Sequence, residues 1–147
     1  MEPLNLSDVA TDCVLAFEPV AFEAGKPLEE RIAADITVVG DADRLRRLIS
    51  ILLDNAVKYS DEGGEISLRV SKAGKRAQIQ VFNTCAGAES LDISRLFDRF
   101  YRADESHSSA VGGTGIGLSI ARATAEAHGG SIRAEIAVGG IRFTALL

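Results

Sequence analysis

Apolar positions recur along this chain in two periods, and the switch between them marks out its elements. Leu45, Leu48, Ile49, Leu52, Leu53 and Ala56 follow the i, i+3, i+4, i+7 spacing of a helix with one buried stripe. Gly40-Asp41 opens that helix, and the pattern carries it to about Ser60. At about 100° per residue, Ile51, Asn55 and Lys58 fall together on one flank of the stripe. An amide and an amine are thus set beside the core, within reach of a pocket. After a turn at Gly63-Gly64 the period becomes two: Ile66, Leu68 and Val70 alternate with Glu65, Ser67 and Arg69. Ala73-Gly74-Lys75 turns the chain back into a strand where Ala77, Ile79 and Val81 share a face, and Asn83 falls on that same apolar face.

The remaining segments are read in the same way. Residues 4–7 are expected to form a short strand, and Ser7 or Asp8 to cap a helix reaching about Ala24, with Gly25 and Pro27 ending it. Residues 28–34 and 36–39 read as two extended runs. LDISRLFDRFYR predicts a short helix, ADESHSSAVGGTG a mobile polar loop, and residues 116–128 a helix stopped by Gly129-Gly130. Two strands close the chain, with Ile132, Ala134, Ile136 and Val138 alternating in one and Ile141, Phe143, Ala145 and Leu147 in the other. The expected fold class is α+β, a two-layer sandwich of about three helices on a mainly antiparallel mixed sheet. No repeat or linker divides the chain, so residues 1–147 are expected to form a single domain.

Composition narrows the possibilities. A chain of 147 residues with 46% hydrophobic and 25% charged residues can bury a core without disulfides. Cys13 and Cys85 stand alone, outside any metal-binding spacing, which fits a reducing compartment. A net charge of -5 argues against a nucleic-acid-binding face. No apolar run approaches the roughly 20 residues of a membrane span. The expectation is a cytoplasmic domain that makes no membrane contact of its own and is monomeric when isolated.

The strongest chemical signal is Gly112-Gly113-Thr114-Gly115-Ile116-Gly117-Leu118-Ser119, a glycine-rich loop feeding a helix. Bare backbone N–H groups and the positive end of a helix suit phosphate oxygens. The loop lacks the Lys of a P-loop and the spacing of a dinucleotide fingerprint. Taken alone, it fits a flexible turn equally well.

Other motifs stand with it in a fixed order. LLDNAVKYS resembles the asparagine box of the catalytic, ATP-binding domain of sensor histidine kinases. VFNTCAG resembles that family's first glycine box, RLFDRFYRAD its phenylalanine box and GGTGIGLSIARATAEAHGG its second glycine box. The likeness spans residues 4–147, and the wider group includes gyrase, Hsp90 and MutL ATPase domains, which share the Bergerat fold. The resemblance implies that Asn55 holds the Mg²⁺ of Mg-ATP, Lys58 touches phosphate, and Tyr59 lines the adenine side. It implies that Asn83 accepts from the adenine amino group and that Gly87 belongs to the adenine loop. Phe97 and Phe100 would anchor a lid over residues 102–113, and Arg102 would reach the phosphates. Gly113, Thr114, Gly115, Ile116, Gly117 and Leu118 would form the loop around them. Outside such a motif, Lys58 would read as a surface lysine and Tyr59 as a half-buried tyrosine, while Arg99, within the phenylalanine box, is read as a solvated surface charge.

Two positions depart from the family pattern. Asn83 stands where Asp is usual and keeps a carbonyl acceptor without the charge. Cys85 stands where the first glycine is usual, which bears on the shape of the loop. The two histidines, His107 in the expected lid and His128 before the Gly-Gly stop, do not read as phosphoacceptors. By resemblance, then, the chain donates the ATP γ-phosphoryl group to a histidine on a separate helical dimerisation and phosphoacceptor domain. The receiver domain of a response regulator takes it onward, and the parent kinase is expected to be a membrane receptor. An ATP hydrolase or clamp would need a carboxylate one turn before Asn55, where this chain has Ile51. A regulatory module, such as an anti-sigma serine kinase relative or a degenerate pseudokinase, is the other rival. Detectable ATP affinity distinguishes a live catalytic domain from a degenerate one.

Overall fold

The computed structural model describes residues 1–98 and 116–147. A short strand, β1 (Glu2–Asn5), runs straight into helix α1 (Leu6–Glu23). Asn5 is the cap: its side chain accepts from the Asp8 amide at 3.0 Å. The helix therefore begins before Ser7 and Asp8, the residues the sequence offered as caps, and the strand lies earlier than 4–7. The reason is tertiary. Ser7 Oγ is turned inward, donating to Ala33 O at 2.6 Å and accepting from the Ile36 amide at 3.0 Å. Pro19 lies inside α1. Having no N–H, it leaves the Leu15 carbonyl without its helical donor, a loss water can make good because Leu15 is exposed.

Strand β2 (Leu28–Ile32) is shorter than the predicted run, because the chain turns at Asp35, whose φ of 57° is left-handed. Strand β3 (Thr37–Gly40) then pairs antiparallel with β1 in a two-stranded ribbon. Helix α2 (Ala42–Tyr59) forms as its stripe predicts: Asp41 caps it by accepting from the Arg44 amide at 3.1 Å, and Leu45, Leu48, Ile49, Leu52, Leu53 and Ala56 are all buried. Truncating a core residue such as Leu52 to Ala would cost about 2–5 kcal/mol.

Strands β4 (Ile66–Ala73) and β5 (Arg76–Thr84) form the central hairpin. Beyond it the expected helix over LDISRLFDRFYR does not form in its described part, which holds only a 3-10 turn at Ile93–Arg95. Ile93, Leu96 and Phe97 keep the i, i+3, i+4 spacing of a helix, but Leu91 lies off that face and packs on the core as well, and tight turns bring all four there. Phe97 packs edge-on against Phe143, with centroids 5.9 Å apart. Helix α3 (Gly117–Ala127) and the hairpin β6 (Ser131–Ala137) and β7 (Gly140–Leu146) complete the chain close to the predicted bounds.

The main sheet has the order β2-β4-β5-β7-β6. β2 pairs with β4 in parallel, and the other neighbours are antiparallel. A parallel neighbour needs a crossover connection. β3 and α2 supply it. In register, Leu68, Val81 and Phe143 line one face of the three central strands, and all three are buried. The helices cover that face, giving an α+β two-layer sandwich with a mixed sheet.

Candidate nucleotide-binding site

Three elements meet where the sequence motifs point. The first is the flank of α2. Ile51, Asn55 and Lys58 are all half-buried there, as their spacing predicts. Asn55 has no side-chain hydrogen-bond partner among the described residues, an amide left free at the edge of the core. Lys58 Nζ pairs with Asp54 Oδ2 at 2.9 Å, one turn back along the helix. Both partners are partly exposed, so this pair contributes little to stability and leaves the ammonium available. Tyr59 ends the helix with 39% of its surface exposed.

The second element is the end of β5. Asn83 is 1% exposed, on the face shared with Val81 and Ile79, and it is paired in register with Ile141 of β7. Its Nδ2 donates to Thr84 O at 3.1 Å. A carbonyl only accepts, so this contact fixes the amide, and Oδ1 is left without a partner among the described residues. Two glycines make room for the strand end. A Cβ on Gly140 would collide with the Asn83 carbonyl, and one on Gly64 with Thr84 Oγ1. Gly87 follows in the left-handed region, with a φ of 76°, where glycine is unstrained. Cys85, between them, is half-buried. Burial pushes its thiol pKa up, and the nearby carboxylates of Asp61 and Glu89 push it further the same way.

The third element is the start of α3. Ile116 is its N-cap residue, Gly117 its first residue, and Ile116, Gly117 and Leu118 are half-buried. A Cβ on Gly117 would lie 3.5 Å from Ile51 Cγ2. The helix that follows the glycine loop therefore begins against the same α2 flank that carries Asn55. Phe100, Arg102, Gly113, Thr114 and Gly115, together with Arg99, His107 and the expected lid over 102–113, lie outside the described residues.

His128 is committed elsewhere. Its Nδ1 donates to Thr124 O at 2.8 Å and its Nε2 accepts from the Asp41 amide at 3.1 Å. With both ring nitrogens engaged, it links the end of α3 to the cap of α2. Sequence reasoning passed over Asp61, whose two carboxylate oxygens accept from the Ala86 amide at 3.0 and 2.9 Å. An acid in a polar turn carries no sequence signal for such a contact. A separate polar cleft of about 560 Å³ near Ser7, Asp8, Thr11 and Arg31 contains none of the motif residues.

Among the described residues there is no cluster of His, Cys, Asp or Glu that would bind a metal unaided. The lone amide oxygen of Asn55 nevertheless fits Mg²⁺, which takes few protein ligands and completes its shell with water and nucleotide phosphates.

An α+β sandwich with a polar amide at a central strand end and a second on a helix flank beside the start of α3 has the architecture of an ATP-binding domain of the Bergerat type. The chain belongs to the family of histidine kinase-, DNA gyrase B- and HSP90-like ATPases, whose model matches residues 40–147. Its likeness lies on the histidine kinase side. The probable sensor protein PcoS of Escherichia coli is 41% identical over 119 residues, covering 81% of this chain and 25% of that protein. The catalytic domain of histidine kinase ThkA superposes with a TM-score of 0.83 at 24% identity, covering 100% of this chain and 95% of that one. ThkA in complex with the response regulator protein TrrA also matches, with a TM-score of 0.79 at 21% identity, over 99% of this chain and 40% of that one. Full-length ShkA in complex with AMPPNP matches with a TM-score of 0.80 at 25% identity, over 98% of this chain and 30% of that one. The chain thus spans about a quarter of PcoS. No helix among the described residues is long and apolar enough to cross a membrane.

Proposed function

We propose that this chain is the catalytic domain of a two-component sensor kinase, binding Mg-ATP and presenting its γ-phosphoryl group to a histidine on a separate helical dimerisation domain. A response regulator would receive the group afterwards, as the complex of ThkA with TrrA suggests by analogy. The observation that carries this reading is the approach of Gly117 to Ile51, close enough that a Cβ on the glycine would touch Ile51 Cγ2. It brings the glycine-loop end of α3 to the flank bearing Asn55 and Lys58.

In this reading Asn55 offers its oxygen to Mg²⁺, which when bound supplies charge neutralisation to the phosphates. Lys58 and the N–H groups at the start of α3 hold the phosphate oxygens, and Arg102 approaches from the lid. Asn83 Oδ1 accepts from the adenine amino group. Tyr59 and Gly87 border the base, with Phe100 steadying the lid. Phosphoryl transfer asks mainly for in-line placement and electrostatic support, which such a set supplies. A hydrolase is disfavoured because Ile51 cannot act as a base for water.

A transfer assay tests the proposal. Given γ-labelled Mg-ATP alone, the chain is expected to acquire no acid-labile phosphate, since His128 is held by Thr124 and Asp41. Adding a helical dimerisation domain with an acceptor histidine from a matching kinase is expected to give label on that domain. Label on His107 or His128 would overturn the reading.

A further inference from the structure

Asp61 lies just beyond α2, and no role above uses it, yet it is joined at four atoms to the turns around the base site. Its amide donates to Thr84 O at 3.1 Å, its carbonyl accepts from the Gly64 amide at 2.8 Å, and both carboxylate oxygens accept from the Ala86 amide. Thr84 O is also the acceptor that fixes Asn83 Nδ2. Thr84 is braced further by Glu65, whose amide donates to Thr84 Oγ1 at 3.0 Å and whose carbonyl accepts from the Thr84 amide at 3.1 Å. Residue 61 therefore holds the chain on both sides of Cys85, through its main-chain amide at Thr84 and its carboxylate at Ala86, and its amide shares with Asn83 Nδ2 the Thr84 carbonyl.

We propose that Asp61 is the positioning residue for base selection: its carboxylate pins Ala86 and so steadies the turn whose Thr84 carbonyl engages Asn83 Nδ2, leaving Oδ1 for the ligand, so that the site takes a purine bearing a 6-amino group and rejects one bearing a 6-keto group. The inference rests on the nucleotide reading above. A locked Oδ1 accepts from an exocyclic amine and meets a keto oxygen with two acceptors face to face. An amide free to turn would offer Nδ2 to the keto oxygen, and the preference would relax. An aspartate at position 83 would need no such lock, because both of its oxygens accept. The lock is needed because Asn83 has one end of each kind. The clamp also answers Cys85. With a side chain at that position the loop has less freedom to settle around a ligand, and two fixed points define its path.

The test is calorimetric titration of the 147-residue chain with Mg-ATP and with Mg-ITP, whose base differs by keto for amino at position 6. Wild type is expected to favour ATP. Asp61→Ala keeps the main-chain bond to Thr84 and loses the hold on Ala86; as the turn loosens, the ATP affinity is expected to fall about tenfold while ITP changes little, so the ratio collapses. Asp61→Asn keeps the shape and one acceptor but loses the charge, and should give an intermediate ratio. It carries the test if the alanine variant fails to fold. A merely structural role would lower the unfolding temperature and weaken both nucleotides in parallel, and an unchanged ATP:ITP ratio in either variant overturns the role of Asp61 alone. A wild-type chain that binds neither nucleotide overturns the nucleotide reading and this proposal with it.

Discussion

His128 is bonded to Asp41 across the helical layer, its Nε2 accepting the very amide that precedes the first turn of α2. The ring also fills the space over Gly40, where a Cβ would lie 2.7 Å from its Cδ2. His128→Ala is expected to lower stability by about 1–3 kcal/mol, because it removes two hydrogen bonds and leaves the Asp41 amide without its partner. Denaturant unfolding measures this directly. Nucleotide affinity should stay close to wild type, since the ring faces the opposite end of α2 from Asn55.

Asn55→Ala should separate binding from folding. Asn55 is half-buried and makes no side-chain bond among the described residues, and Ala is the better helix former, so the unfolding temperature is expected to hold or rise slightly. Mg-ATP affinity is expected to fall tenfold or more, with little change for ATP in the presence of a chelator. Calorimetry with and without Mg²⁺ decides it. Equal affinity of both proteins for Mg-ATP would remove Asn55 from the metal site.

Ile51 faces the start of α3 and offers no base, so steady-state phosphate release by the isolated chain is expected to be negligible. Ile51→Glu places a carboxylate at that half-buried position and is expected to raise the release rate where the variant folds. Brisk hydrolysis by the unmodified chain would favour the hydrolase branch of the family instead.

The two thiols predict the alkaline behaviour. Burial raises the Cys13 pKa, against a smaller opposing effect of its Ser50 hydrogen bond and of Arg46. Cys85 is raised by burial and then by Asp61 and Glu89. Folded thiols that hold their protons longer than unfolded ones stabilise the fold fully below the ordinary thiol pKa. That contribution is lost as pH climbs through the raised value, since the unfolded chain then binds fewer protons. Unfolding free energy should therefore decline on the alkaline side, and less steeply in Cys13→Ala. Iodoacetamide should modify Cys85 slowly at neutral pH and faster in Asp61→Asn, as mass spectrometry would show.

Much of this molecule was legible before its coordinates. The α2 stripe was read correctly residue by residue, because a helix with one buried face repeats its signal several times and Asp41 caps it locally. The position of Asn83 on the apolar face followed from a period of two. The start of α1 did not follow, because Asn5, Ser7 and Asp8 all suit a cap and only contacts with Ala33 and Ile36 decide among them. The short helix expected from Leu91 is absent from its described part for a related reason: Ile93, Leu96 and Phe97 have helical spacing, but Leu91 reaches the core as well, and that demand is tertiary. Asp61 was invisible because its partner, Ala86, lies 25 residues away. The parallel pairing of β2 with β4 was equally hidden, being a choice of neighbour rather than a local preference.

The pairing of Asn83 with Ile141, closed by the tight approach of Gly140, has a consequence for biosynthesis. The helix flank and the central hairpin are complete once the chain has passed Thr84, but the wall beside Asn83 is supplied by β7, made only after α3 and β6. On the nucleotide reading, a nascent chain halted before Gly140 carries every ligand of α2 and still has no floor beneath the base. Competence for ATP would arrive only when residues 140–146 have been made and paired rather than grow along the way, so that copies released by the ribosome before Gly140 would not compete for nucleotide with those that carry β7.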